Sequence, residues 1–263
     1  MYAHFGPLKA YLVLYLAGVL LHAGLAYVFC RRLGLRRWWY RSVSLSYLLS
    51  MTAGARVLFD VTHGASVKPL DLVTVSYYMR GGMWGGLLTH LALITVVIVA
   101  LARQRAATFD LVALALPLPM MFAKVGCFLN GCCYGAPTAL AWGVTFPANP
   151  GGAPPNVPIH PVQLYEIGVL AVAFITVMIF RGPRWQGLGL VWFLLVYGAG
   201  RGLIEFVRGD APQRLALGPF TASQQLCLGV ALVAAVILGI RVTQGRPTAH
   251  DEGHGNRRGE AGT

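Results

Sequence analysis

Tyr197, Arg201, Glu205 and Arg208 follow one another at spacings of four, four and three residues. On a helix those spacings place all four side chains on one face. Glu205 is within reach of either arginine, which leaves one guanidinium partly free. A guanidinium fork matches phosphate oxygens bidentately and never deprotonates. The alternative is a buried ion-pair network that only locks helices together, and this segment by itself weighs the two evenly. Other polar groups occur in similar company. Arg56 stands in Gly54-Ala55-Arg56-Val57-Leu58-Phe59-Asp60, with Asp60 as its i+4 partner or a snorkelling route to the interface. Lys124 precedes the segment Gly126-Cys127-Phe128-Leu129-Asn130-Gly131-Cys132-Cys133-Tyr134-Gly135. Glycines there let backbone approach a ligand closely, and Asn130 both donates and accepts. His160-Pro161-Val162-Gln163-Leu164-Tyr165-Glu166 opens an apolar run, with His160 at a cap position and Pro161 suited to a first helical turn. A cap alone needs one polar residue. Four together suggest a polar site.

The elements that must position these residues are apolar. Of 263 residues, 56% are hydrophobic and 11% charged, with mean hydropathy +0.62. Soluble domains carry about 25% charged residues, so a water-soluble globular fold is excluded, and so is disorder. The sequence predicts an all-α, polytopic membrane protein with about seven transmembrane helices. The stretches are 8–30, 42–60, 83–102, 108–125, 161–180, 186–207 and 220–241. Asp110, Pro117 and Pro119 interrupt the fourth, which reads as a kinked span. Residues 1–242 form the membrane domain, and 243–263 a polar, disordered cytoplasmic tail.

The net charge of +12 invites an acidic partner. Thirteen of the 21 cations fall in alternate loops: Arg31, Arg32, Arg36, Arg37 and Arg41; Arg103 and Arg105; Arg181 and Arg184; Arg241, Arg246, Arg257 and Arg258. The positive-inside tendency then puts the N-terminus outside and the C-terminus in the cytoplasm. Nucleic-acid binding loses its main support. The first apolar run is too long for a signal peptide and its basic cluster follows it, so it reads as a retained span. The outward loops are 61–82, 126–160 and 208–219, the middle one rich in Pro and Gly and irregular. No internal repeat suggests an inverted-repeat transporter. Eight cations remain within spans or toward the outer side: Lys9, Arg56, Lys68, Arg80, Lys124, Arg201, Arg208 and Arg214. Intramembrane charge is costly and marks polar cavities.

With these motifs assembled, the chain resembles the bacterial prolipoprotein diacylglyceryl transferases over about residues 4–241. Gly54-Ala55-Arg56, the Gly81-Gly82 and Gly85-Gly86 pairs, Gly126 to Gly135, His160 to Glu166, and Tyr197 through Asp210 carry the likeness. The resemblance implies transfer of the diacylglyceryl group of phosphatidylglycerol to a lipobox cysteine of a preprolipoprotein, with release of glycerol phosphate. It implies an inner-membrane enzyme whose site faces the periplasmic or outer side. Its partners would be phosphatidylglycerol, preprolipoproteins and membrane lipids, with no nucleic acid and no cofactor. Carried over, Arg201 is the main phosphate-side cation, oriented by Glu205 and Arg208. Arg56, Asn130, Gly135 and Tyr197 line the cavity, and Lys124, Gln163 and Tyr165 belong to the substrate-binding set. The rival readings are a non-catalytic phosphatidylglycerol-binding paralogue and a small transporter.

Four positions depart from the family pattern. Trp84 stands where a histidine base is common, and indole accepts no proton. His160 or Glu166 then becomes the candidate base by location, since His90 points elsewhere. Lys124 replaces an arginine and loses its fork. Cys127 and Cys132 replace the usual Asn and Glu, as in a recognisable subset of the family. Cys30 and Cys227 read as packing residues within spans. On an oxidising face, Cys127 could pair with Cys132 or Cys133. The spacing assigns no metal site, and His4, His22 and His63 read as structural or exposed.

Overall fold

A segment that is apolar on every side has no water-facing stripe and must meet protein or lipid all round. The computed structural model describes residues 4–5, 8–54, 56, 60, 83–148, 151–210 and 220–244, and among these eight α-helices form. They are α1 (Ala10–Arg32), α2 (Trp38–Leu49), α3 (Met83–Leu101), α4 (Arg105–Ala115), α5 (Pro117–Asn130), α6 (Val162–Ile179), α7 (Gly189–Ile204) and α8 (Ala222–Gln244). A two-residue antiparallel pair, β1 (His4–Phe5) and β2 (Leu8–Lys9), precedes α1. The stretch 61–82, expected as an outward loop and holding Gly81-Gly82, and the tail beyond residue 244 lie outside the described residues.

Among the described residues, five segments are long and apolar enough to cross a membrane: Leu12–Arg32, Arg105–Asn130, Val162–Ile179, Gly189–Val207 and Ser223–Gln244. The apolar part of α3, Gly85–Leu101, is shorter. Where the sequence suggests an unbroken span over 42–60, α2 instead begins at Trp38 and widens into a π-helical turn over Ser50–Gly54. Serines at 42, 44, 46 and 50 dilute its hydropathy, which is why it falls short of a long apolar span.

The prolines act where a helix tolerates them. α4 ends at Ala115 and α5 restarts at Pro117, with Leu116 linking the two. Pro117 and Pro119 thus occupy the first turn of α5, where a missing N–H costs little. The segment 105–130 remains one spanning unit, longer than the expected 108–125.

α1 packs on α5, α4 and α2; α6 packs between α5 and α7; and α8 covers α7. The common core holds Val43, Ile94, Leu111, Met120, Leu170 and Phe193. Leu20, Val96, Ile179, Leu203, Leu232 and Val233 point outward and are largely exposed, as lipid-facing side chains would be. His22 and His90 are buried with Tyr47 in an aromatic knot, where His22 stacks on Tyr47 at 4.0 Å between ring centroids. His90 Nδ1 meets Ser46 Oγ at 3.1 Å, so His90 does point away from the polar site.

Asp110 is the acid that interrupts the fourth apolar stretch. Its two carboxylate oxygens accept the N–H groups of Gly187 and Gly189 at 2.8 and 2.9 Å. It therefore ties the entry of α7 to α4. Asp110→Ala orphans a buried donor at Gly189 and a part-buried one at Gly187, and charge-assisted bonds of this kind are worth about 1.5–3 kcal/mol each. The expected loss is about 2–4 kcal/mol, read as a lower unfolding midpoint in detergent micelles. An unchanged midpoint would refute this role.

Candidate active site

The polar residues gather where α5 and α7 end and α6 begins. Lys124 lies in the last turns of α5, Glu166 in the first turns of α6, and Tyr197 and Arg201 near the end of α7. Glu205 and Arg208 follow in a tight 3-10 turn and the residue after it. Short connections at the other end of the bundle carry Arg181 and Arg184, and α1 and α8 finish there with Arg32 and Arg241. The charges of the site and these loop and helix-end cations thus sit at opposite ends of the bundle.

Glu166 is the hub. Its Oε1 accepts the Tyr197 hydroxyl at 2.7 Å, and its Oε2 lies 2.8 Å from Lys124 Nζ and 3.8 Å from Arg201 Nε. Glu205 Oε2 pairs with Arg201 Nη1 and stands 3.7 Å from Arg208 Nε, while its Oε1 accepts the Thr221 hydroxyl at 3.1 Å. Arg208 Nη2 reaches Asp210 Oδ1 at 2.7 Å. Three cations thus face three carboxylates. Arg201, only 1% exposed, and Lys124 and Glu205, each 4%, are out of contact with water. A balanced network is the least costly way to hold such charges in an apolar bundle.

Charge balance still leaves donors in excess. A guanidinium carries five N–H groups and an ammonium three, against two oxygens on each carboxylate. Arg201 Nε is buried without a hydrogen-bond partner, as is Gln163 Oε1. Native structures rarely leave such atoms unmatched. An acceptor such as an anionic oxygen would complete Arg201 Nε, and a donor such as a hydroxyl would complete Gln163 Oε1.

The remaining predicted residues surround this network. Gln163 donates Nε2–H to the carbonyl of Cys132 at 2.8 Å, which ties the start of α6 to the glycine-rich turn. Gly135 packs against His160, where a Cβ would collide with the His160 carbonyl, and pairs through its backbone with Arg208. Asn130 closes α5. Gly131 adopts a left-handed conformation (φ 70°) as its cap, so the glycine-rich segment is helical through residue 130 rather than a loop from 126. His160 is not a cap: α6 starts at Val162, Pro161 holds the N-cap position, and no side chain caps it. His160 Nδ1 instead meets the Tyr165 hydroxyl at 3.2 Å, and that hydroxyl also accepts Trp142 Nε1–H at 2.7 Å. Arg56 pairs with Asp60 at 2.7 Å, the i+4 contact its spacing suggests. No ion pair among the described residues joins Arg56 to the Lys124–Glu166–Arg201 network.

The loop of 131–161 is irregular, as its composition suggests, yet it is packed. Isolated bridges join Val144 and Pro137 to Ile159, and Phe146, Ala153 and Ile159 form a small core of their own. Its described residues meet the turn after α7, where Ala136 N–H donates to the Val207 carbonyl at 2.8 Å and Gly209 N–H to the Tyr134 carbonyl at 3.0 Å.

Thr221 is the partner that motif reading misses. It forms a capping box with Gln224: Thr221 N–H donates to Gln224 Oε1 at 2.9 Å and Gln224 N–H to Thr221 Oγ1 at 3.1 Å. Its hydroxyl then serves Glu205. A Thr-x-x-Gln before an apolar run was the available signal. Asp210, within the last motif, is the other omission. Burial raises its carboxyl above the ordinary range, although Arg208 opposes this.

The three clustered cysteines have thiol sulfurs within 4.8 Å of one another. They are Cys127, Cys132 and Cys133, all free thiols. Hydrogen bonds from Cys127 and Cys132, aided by Lys124 and Arg208, hold the Cys133 thiol well below its ordinary range. Cys30 and Cys227 are buried packing residues, as their positions suggest.

A family model described as prolipoprotein diacylglyceryl transferase matches residues 2–240. A phosphatidylglycerol–prolipoprotein diacylglyceryl transferase of Cupriavidus metallidurans is 32% identical over 250 residues, covering 88% of this chain and 90% of its own. One from Azotobacter vinelandii is 32% identical, covering 88% and 89%. One from Clostridium tetani is 35% identical over a shorter match, 50% of this chain and 52% of its own length. The chain belongs to the prolipoprotein diacylglyceryl transferase family.

Proposed function

We propose that this protein transfers the diacylglyceryl group of phosphatidylglycerol to the lipobox cysteine thiol of preprolipoproteins. The sulfur forms a thioether with the glyceryl carbon, the C–O bond to phosphate breaks, and glycerol phosphate departs. One observation carries this reading. A buried Arg201, whose Nε makes no hydrogen bond and only a 3.8 Å ion contact with Glu166, sits among Lys124 and Arg208 at one end of an apolar bundle. Charge that develops on the leaving phosphate needs fixed donors in a water-poor site, and these cations supply them. Glu166, Glu205 and Tyr197 hold the cations in place. Of the two candidate bases, Glu166 has both oxygens engaged, so it positions rather than accepts a proton. His160, tied to Tyr165, is the better acceptor in this reading.

The loop cations support an N-terminus outside, a C-terminus in the cytoplasm and seven crossings, with α2 and α3 as short spans. The site then opens toward the outer leaflet of the cytoplasmic membrane, where Arg56, Asn130, Gly135, Gln163 and Tyr165 line the way in. Residues 1–242 make up this unit and 243–263 a cytoplasmic tail.

The test is growth of a strain depleted of its own transferase, together with mass-spectrometric detection of the thioether on a lipobox peptide. Rescue and product are expected. Stable membrane insertion without either result would overturn the enzymatic reading in favour of a phosphatidylglycerol-binding paralogue, the alternative that Trp84 motivates.

A further inference from the structure

We propose that Cys127, Cys132 and Cys133 form a three-thiolate zinc site whose fourth position takes the lipobox cysteine of the substrate. The proposal rests on the transferase reading and supplies the thiol activation that Trp84 cannot.

Spacing alone does not bring residues 127, 132 and 133 together; the end of α5 does. Gly131 turns the chain back in its left-handed conformation, so that Cys132 N–H donates to the Cys127 carbonyl at 3.1 Å. Cys133 follows with φ 56°, a conformation that non-glycine residues rarely adopt and that concentrates at functional sites. Gln163 anchors the turn from α6 through the Cys132 carbonyl. The three sulfurs end within 4.8 Å of one another. A tetrahedral zinc with Zn–S bonds of about 2.3 Å places sulfurs about 3.8 Å apart, a separation reached by small side-chain rotations.

Charge supports an open site. Three thiolates and one Zn2+ carry a net −1, and Lys124 and Arg208 lie close enough to interact with Cys133. Three protein ligands with a free fourth position is the pattern of reactive rather than structural zinc. A thiol that coordinates zinc loses its proton outright. Here that proton would pass to His160, the acceptor of the transferase reading, and the bound sulfur would remain nucleophilic. It attacks the glyceryl carbon of phosphatidylglycerol; the S–C bond forms, the C–O bond breaks, and its electron pair stays on the phosphate oxygen beside Arg201. The thioether product is a poorer ligand than a thiolate and leaves the metal. Lys124 borders both the thiol cluster and Glu166, so nucleophile and leaving group meet in one site.

The test uses the full chain, reduced and purified in detergent. Zinc content is measured by elemental mass spectrometry, and Co2+ replaces it as a spectroscopic probe. Stoichiometric zinc and a thiolate-to-cobalt charge-transfer band are expected. The cobalt spectrum should change with a lipobox peptide and not with its Cys→Ser analogue. The double variant Cys127→Asn with Cys132→Glu, which carries the residues common in the family, should fold, lose the metal and lose thioether formation by at least about 10-fold. Chelation should do the same, with recovery on adding Zn2+. Absence of stoichiometric metal, a cobalt spectrum indifferent to the peptide, or full turnover after chelation would each overturn the zinc site while leaving the transferase intact. A peptide-responsive metal site without any thioether product would instead overturn the transferase reading.

Discussion

Arg201→Ala is expected to lower thioether formation by about 100- to 1,000-fold, chiefly through kcat. The reason is where the charge is needed. A ground-state phosphate diester already carries one negative charge, and breakage of its C–O bond adds to it, so a fixed guanidinium gains most in the transition state. Arg201 lies in full burial between Glu166 and Glu205, and each carboxylate fixes one edge of it. Removal would also leave those carboxylates short of a cation, so the variant could lose stability as well as chemistry. The pair Arg201→Met with Glu205→Gln separates the two effects. It removes one charge of each sign and should recover the unfolding midpoint while leaving activity at the alanine level. Arg201→Lys keeps charge without the fork and should fall between. Turnover retained by the Arg201→Met, Glu205→Gln protein would show that phosphate is held elsewhere.

The site was more legible in the sequence than the fold was. Tyr197, Arg201, Glu205 and Arg208 announce themselves by helical spacing, because ionisable residues are rare in apolar segments and stand out. Spacing could not say which carboxylate would bind which cation. Glu166 lies 42 residues before Arg208, and only the packing of α6 between α5 and α7 makes it the common partner of Lys124 and Arg201. Thr221 was hidden for the opposite reason: its signal is local, but a capping box predicts a helix start and not a contact with Glu205. Element ends were harder still. His160 looked like a cap, yet Pro161 before Val162 and the close approach of Gly135 set the start of α6. The break in α2 depends on the packing of its π-helical turn against α3, with Gly86 and Gly54 at the contact. A run of apolar residues does not reveal such a turn.

Glu166→Leu is expected to destabilise the folded protein by about 3–5 kcal/mol, and its partner variant is the informative control. Glu166 is 3% exposed and neutralises Lys124 directly. Without it, the ammonium is buried against apolar neighbours and the Tyr197 hydroxyl loses its acceptor. Lys124→Met alone costs less, because Glu166 keeps Tyr197 and Arg201 as partners. The double variant Glu166→Leu with Lys124→Met removes both charges and should be clearly less destabilised than the two losses added, by about 0.5–3 kcal/mol. The measurement is a double-mutant cycle of unfolding midpoints in micelles of one composition. Additive losses would mean that the pair is not coupled and that Glu166 acts through Tyr197 or Arg201 alone. Coupling without recovery of thioether formation would distinguish stability from function: the pair then holds the end of the bundle together, and Lys124 is needed a second time, as a cation facing the phosphate. A network that only locked helices would regain both, because a hydrophobic pair of similar volume can replace a buried ion pair in packing but cannot meet an anion.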